Sequence, residues 1–149
     1  MIVSTQNRAV VDLDAQLRLT STQLKKRERE ILTSYNTTPP QFEALLTLRE
    51  FGALTMGELC EKMFLACSTA TDLVDRMERN GLVERVRDTA DRRVVRLRVL
   101  PRGDEMAAEV TAARQAKLAA VLAGVSLEDK ERLIQALEHL HYYLTRAQA

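Results

Sequence analysis

Nine arginines fall between Arg76 and Arg102, with no lysine among them. Only Glu78, Glu84, Asp88 and Asp91 oppose them, so this stretch carries +5 in a chain whose formal net charge is +1. A guanidinium is a flat, forked donor that matches phosphate oxygens and base edges, whereas a surface built for solubility alone usually mixes in lysine. The stretch overlaps a segment whose residues sort onto two faces at a period of 3.6. Ala66, Ala70, Leu73, Val74 and Met77 lie on one side and Ser68, Asp72, Asp75 and Arg79 on the other, flanked by Thr69, Thr71 and Arg76. One face packs, and the other is free to meet a partner. The chemistry these residues offer is recognition of a polyanion. Its candidate contacts are Ser68, Thr69, Thr71, Asp72, Arg76 and Arg79 on the helix, then Arg87, Asp91, Arg92 and Arg93 beyond it.

Bond-making chemistry has little to work with. The two histidines, His139 and His141, stand two apart, about 200° around a helix, and cannot chelate one ion between them. There is no phosphate-binding glycine loop, nucleophile elbow or metalloprotease pair. No catalytic residue, metal or cofactor is expected. Cys60 falls on an apolar stripe and Cys67 flanks the packed side of its helix with no adjacent base, so both read as mainly structural.

The elements that must position the arginines are legible from caps and periodicity. Met1–Asn7 has no pattern and is expected to fray. Val10, Leu17, Leu24 and Ile31 recur at intervals of seven within a helix expected from Arg8 to about Ser34. Thr38-Pro39-Pro40-Gln41 opens a second helix with a buried stripe of Phe42, Leu45, Leu46 and the stem of Arg49, stopped by Gly52. Leu54-Thr55 suits a very short strand. Thr55 and Glu58 form a capping box for a third helix lined by Met56, Leu59, Cys60 and Met63. After Phe64-Leu65-Ala66 the fourth helix runs from near Cys67 to Asn80, ended by Gly81. Two helices joined by so short a turn, the second with a polar outer face, form a helix-turn-helix pattern.

The period then changes to two. Leu82–Arg87 and Val94–Val99 read as strands around the turn Asp88-Thr89-Ala90-Asp91, with Val95, Leu97 and Val99 inward and Val94, Arg96 and Arg98 outward: a wing. Pro101 and Gly103 start a fifth helix closed near Gly124. Ser126 with Asp129 starts a sixth, where Leu133, Leu137, Leu140 and Leu144 form another seam. The fold class is therefore mainly α, a winged helix-turn-helix with an α/β wing. Residues 1–37 and 101–149 supply dimerisation helices around a DNA-binding domain at 38–100. The terminal seams carry more apolar surface than a winged helix needs, and a homodimer is expected to cover them.

Composition agrees. The 149 residues are 46% hydrophobic and 29% charged, as in ordinary globular chains, and with 4% aromatics the core must be aliphatic. Two cysteines form no disulfide framework, and no signal peptide or bilayer-length apolar run is seen, so a cytoplasmic protein with no membrane partner is expected.

The chain resembles the MarR family of bacterial winged-helix transcriptional regulators. The resemblance rests on Ser68-Thr69 through Leu73-Val74-Asp75-Arg76-Met77-Glu78, on Asn80-Gly81-Leu82-Val83, on the wing Asp91-Arg92-Arg93, and on Pro101-Arg102-Gly103. It implies a homodimer that binds pseudo-palindromic double-stranded DNA, with each fourth helix in a major groove and each wing tip at a minor groove. It also implies a regulator, a repressor by preference, released when a small phenolic or aromatic effector enters a cleft built from the first, second and fifth helices. The chain departs from the family at Ala66, where a capping Ser is common, and at Asp72, where a base is frequent. Val99-Leu100 stands in place of Leu-Thr, which removes an N-cap worth about 1 kcal/mol. Asp72 is expected to pair with Arg76, and Asp75 with Arg79, at i,i+4; the rival role for Asp72 is accepting from a cytosine amino group. Two other readings stay open: a dimeric interaction protein on the same fold, and a cysteine-based redox sensor.

Overall fold

The computed structural model describes residues 5–147. It contains six helices, α1 (Thr5–Ser34), α2 (Pro39–Phe51), α3 (Met56–Met63), α4 (Cys67–Arg79), α5 (Pro101–Val121) and α6 (Leu127–Arg146). Three strands, β1 (Leu54–Thr55), β2 (Val83–Arg87) and β3 (Val95–Val99), complete the described elements. The architecture is the expected mainly helical winged helix. Of the segment expected to fray, Thr5–Asn7 is helical, extending α1 by a turn; Met1–Ser4 lie outside the described residues.

Caps set the helix boundaries where the sequence places them. Gln41 Oε1 accepts from the Thr38 N–H at 3.1 Å, and Glu58 Oε2 accepts from the Thr55 N–H at 2.7 Å while Thr55 Oγ1 accepts from the Glu58 N–H at 3.2 Å. Gly52 at φ 80° and Gly81 at φ 69° turn the chain out of α2 and α4 in a conformation that side chains with a Cβ resist. The turn between α3 and α4 instead places Phe64 in the left-handed region at φ 53°, with its ring almost wholly exposed. That strain is accepted because Leu65 N–H reaches the Cys60 carbonyl at 3.0 Å, closing α3 in a tight reversal.

By their packing the described residues divide into two compact units, on either side of the boundary between Arg114 and Gln115. In the first, a single aliphatic core joins Ile31 and Leu32 of α1, Phe42, Leu45 and Leu48 of α2, and Leu59 and Met63 of α3. Val74 and Met77 of α4, Leu97 of β3 and Met106, Ala107 and Val110 of α5 complete it. The sheet is antiparallel in the order β1-β3-β2, with Leu97 opposite both Leu54 and Arg85. Leu97, on the central strand, is thus the wing's root in the core. In the second unit α6 buries none of its residues, and Ser126 caps it by accepting from the Asp129 N–H at 3.1 Å.

Three expected faces differ in detail. Ala44 and Leu48, not Arg49, complete the buried stripe of α2; Arg49 is exposed and its Nε meets Asp104 Oδ1 of α5 at 2.9 Å. Ala66 is exposed because it is the N-cap of α4, one turn short of the core. Val95 has the inward parity of β3 but lies exposed, since at the turn end of the strand it stands short of the core that covers Leu97. At α5 the missing Thr side-chain cap is replaced by backbone: the Leu100 carbonyl accepts from Gly103 N at 2.8 Å and Asp104 N at 3.1 Å.

Gly103 is where α5 presses on the wing's base. A Cβ there would lie 2.3 Å from the Leu82 carbonyl oxygen and 2.9 Å from Val99 Cγ1. Gly103→Ala should therefore destabilise by at least the 1–3 kcal/mol of ordinary overpacking, read as a lower urea midpoint at unchanged slope. Gly124→Ala, with nothing within 4 Å of the new methyl, should shift stability by no more than about 0.5 kcal/mol. Equal effects at the two glycines would contradict this packing.

Candidate nucleic-acid interface

The outer face of α4 follows from its inner one. Ala70, Val74 and Met77 are buried, which leaves Ser68, Thr69, Thr71, Asp72, Arg76 and Arg79 exposed on the opposite side. Thr71 Oγ1 donates to the Cys67 carbonyl at 2.8 Å, so its oxygen lone pairs and methyl remain outward.

The expected i,i+4 pairs on this helix do not form. Asp75 Oδ1 meets Arg85 Nη2 at 2.6 Å, Glu78 Oε2 meets Arg85 Nη1 at 2.5 Å, and Glu78 Oε1 accepts the Arg85 backbone N–H at 3.2 Å. A half-buried guanidinium from β2, gripped by two carboxylates one turn apart, outcompetes an exposed neighbour on the same helix. Arg79 Nε donates to the Asp75 carbonyl, not its carboxylate, at 3.3 Å. Among the described residues Asp72 and Arg76 have no ion-pair partner. Arg85 is accordingly held even more firmly protonated than usual, first by Asp75.

The wing turn is wired in the same manner. Asp88 Oδ1 accepts from Ala90 N at 2.8 Å and Asp91 N at 3.4 Å, shaping the tip, while Asp88 Oδ2 pairs with Arg96 Nε. Arg96 Nη1 reaches Glu58 Oε2 of the α3 capping box at 3.3 Å and the Ala53 carbonyl at 3.4 Å. The Arg96 guanidinium, then the two backbone donors, hold the Asp88 carboxyl below its ordinary range; the Thr55 backbone donor does the same for Glu58. At the tip, Asp91 Oδ1 accepts from Arg93 N at 3.0 Å and from Arg93 Nε at 3.2 Å, and the Arg93 side chain is 91% exposed. Arg98 pairs with Glu84.

The acids thus sort the arginines. Arg85, Arg96 and Arg98 are bound into the scaffold, and Arg93 is aimed outward by Asp91. Arg76, Arg79, Arg87, Arg92 and Arg102 have no ion-pair partner among the described residues. Sequence reasoning missed both brackets, Arg85 with Asp75 and Glu78, and Arg96 with Asp88 and Glu58. The parity of the strands held a partial signal for Arg85, which shares the inward face of its partner Leu97, and none for Arg96 on the opposite face.

No helix among the described residues is long and apolar enough to cross a membrane, and no group of three His, Cys, Asp or Glu side chains among them could hold a metal.

Comparisons place this geometry. The MarR family model matches residues 37–95. The chain is 54% identical over 106 residues to the uncharacterized HTH-type transcriptional regulator YsmB of Bacillus subtilis strain 168, covering 71% of this chain and 73% of that one. It is 31% identical over 125 residues to the HTH-type transcriptional repressor MdtR of the same organism, covering 84% and 79%. A solved MarR family protein from Bacillus stearothermophilus superposes with a TM-score of 0.86 at 53% identity, covering 93% of this chain and 96% of that one. The chain belongs to the MarR family, whose members are winged-helix, DNA-binding transcriptional regulators and not enzymes.

The cysteines depart from expectation in one respect. Cys60 is buried, and its burial followed by the neighbouring Cys67 thiol pushes it up to about 11; Cys67 is exposed, because the first turn of α4 overhangs the core. In the folded protein an aromatic disulfide reagent should modify one thiol per chain rapidly and the second only in denaturant. Cys67→Ser should abolish the rapid phase, and rapid reaction of both thiols in the native state would contradict the burial of Cys60.

Proposed function

We propose that the protein is a homodimeric repressor that reads a pseudo-palindromic operator, each α4 entering a major groove and each wing an adjacent minor groove. The observation that carries this reading is the sorting of charge. Asp75, Glu78, Glu84 and Asp88 are spent on arginines that hold the scaffold, while Arg76, Arg79, Arg87 and Arg92 stay without acidic partners on the side that α4 and the wing present. Ser68, Thr69 and Thr71 at the start of α4 are the candidates for base edges, where a reading helix contacts DNA. Asp72, lacking a cation, is available to accept from a cytosine amino group. Arg93, oriented by Asp91, suits a narrow A·T-rich minor groove with enhanced negative potential, and Arg92 and Arg87 flank it toward phosphates. The name of MdtR, a repressor, supports the sign of regulation.

Dimerisation rests on residues 1–37 and 101–149, around the DNA-binding region at 38–100. Leu17 and Leu24 of α1 and Leu133, Leu137 and Leu144 of α6 are 39–61% exposed in the single chain, far more apolar surface than a monomer needs to show. A second copy of the same helices covers them. Sedimentation at micromolar concentration should give only dimer, and the unfolding midpoint should rise with protein concentration. A folded monomer at that concentration would overturn the dimer.

Effector release is supported by a hollow of about 270 Å³ beside the junction of α1 and α2, lined by Tyr35, Leu82, Arg102, Glu105 and Met106 among others. It suits a single aromatic ring bearing a neutral phenolic hydroxyl, with Arg102, Glu105 and Glu109 as polar partners. The protein acts in the cytoplasm in this reading, where its operator is.

The test uses a duplex that the wild-type protein selects from a random pool. Arg93→Ala should weaken binding by roughly 1–3 kcal/mol per half-site and shallow the salt dependence, leaving folding and dimerisation intact. Lysine should restore only part of the loss, since the planar fork is missing. Arg98→Ala, which removes a guanidinium already committed to Glu84, should lose much less. No loss at Arg93, or equal loss at both, would overturn the placement of the wing.

A further inference from the structure

An open hollow of about 470 Å³ lies where the α1–α2 junction meets the C-terminal half of α4. Its lining is Asn36, Thr38, Gln41, Arg76, Arg79 and Asn80. Every one of these side chains is polar, two are guanidiniums without a carboxylate partner, and none is acidic. The adjacent hollow, across Asn36 and Asn80, sets Arg102 against Glu105 and Glu109 and is formally acidic by one charge. Only the first is built as an uncompensated positive site.

Its positive charge comes from side chains and not from a helix end. Pro39 and Pro40 open α2 without N–H groups, and the Thr38 N–H is already given to Gln41 Oε1. Gln41 itself is 95% buried by its 5% residual exposure, and its oxygen also accepts from Thr37 Oγ1 at 3.2 Å. Its amide nitrogen donates to nothing among the described residues, yet no buried side-chain nitrogen or oxygen among them lacks a partner. That nitrogen therefore reaches accessible space, and the space Gln41 lines is this hollow. An unused donor on a buried side chain thus lines the same site as two arginines.

We propose that this hollow binds a phosphate group, supplied by the DNA backbone where it leaves the groove entered by α4. The assignment rests on the reading of α4 as the DNA-facing helix. Residues at the start of such a helix meet base edges, so Arg76 and Arg79, two and three turns later, fall beside the backbone. Being three apart, they share one face and can fork onto one phosphate's oxygens, while Asn36, Asn80 and the Gln41 amide supply neutral donors from other elements. The contact would fix the register of α4 along its groove by gripping the strand from the junction of α1 and α2. The same chemistry would accept the phosphate of a small phosphorylated metabolite, and the experiment separates the two sources.

Asn36→Asp is the informative variant. Asn36 sits at φ 51°, a conformation that Asp tolerates as Asn does, and the change puts a carboxylate into the hollow without touching α4 or the wing. Thermal unfolding confirms that the variant folds, and Gln135→Glu on α6 controls for an added negative charge. Affinity for the selected duplex should fall at least tenfold in Asn36→Asp and hardly in Gln135→Glu. The slope of log affinity against log salt should shallow by about 0.9 for each phosphate lost per chain. In parallel, inorganic phosphate replacing chloride at constant ionic strength should raise the melting temperature of the wild type and not of Asn36→Asp. Unchanged affinity and slope in Asn36→Asp overturn the backbone assignment; if phosphate still stabilises only the wild type, the hollow serves a free phosphorylated ligand instead. Failure of the reading beneath it looks different: the wild-type protein would select no duplex, or Arg93→Ala would cost nothing.

Discussion

Two carboxylates one turn apart on α4, Asp75 and Glu78, close on the guanidinium of Arg85 from β2. Everything that faces outward depends on this bracket, because it fixes the angle between the helix and the hairpin that must act together. The apolar core alone does not set that angle tightly. Leu97 anchors the hairpin and Val74 and Met77 anchor the helix, but aliphatic contacts are non-directional and tolerate small rotations. A forked ion pair with a backbone N–H added to it does not. The pair is half-buried, so its net contribution to stability is modest; its value is geometric. Arg96 repeats the device at the other edge of the wing, joining the turn residue Asp88 to the α3 cap residue Glu58.

These brackets explain how a chain of net charge +1 presents a strongly basic surface. From Asp75 to Arg102 every acid is paired with an arginine, and the unpaired remainder of charge is arginine alone. Screening acts on exposed charges beyond about 10 Å at moderate salt, so what a polyanion meets is the local remainder and not the net charge. Asp72 is the exception on α4. An uncompensated acid on the outer face lowers non-specific attraction to phosphates.

Much of the fold was legible because its signals are local. The capping box at Thr55 and Glu58, the stop at Gly52 and Gly81, and the change of period at Leu82 each depend on a few neighbouring residues, and the structure follows them. The errors share one cause, which is tertiary context that a local pattern does not carry. Asp75 had a correctly spaced arginine at Arg79, yet tertiary folding offered it Arg85. Val95 had the right parity for burial but no cover, and Cys67 shared the face of Ala70 but overhung the core. Arg93 and Asp91 were legible as a pair since they are two residues apart in one turn. The hollow at Asn36 was not, for its six residues come from the α1–α2 junction and α4, and no periodicity links them.

The pairing of Asp91 with Arg93 raises a question of energetics, since it places a carboxylate beside the side chain proposed to meet DNA. An exposed pair of this kind is worth well under 1 kcal/mol in water, because solvent screens it and side-chain entropy opposes it. Asp91 therefore does little to hold the guanidinium back from a phosphate-lined groove. Its effect is on direction: with the Arg93 backbone N–H and Nε both donating to one oxygen, the side chain is confined to a narrow set of rotamers. Less freedom then remains to be lost on binding, and a long side chain can lose as much as about 2 kcal/mol of rotamer entropy. On the proposed reading, a weak pair on the surface thus contributes by limiting the freedom of one side chain, as the Arg85 bracket does by limiting the freedom of two elements.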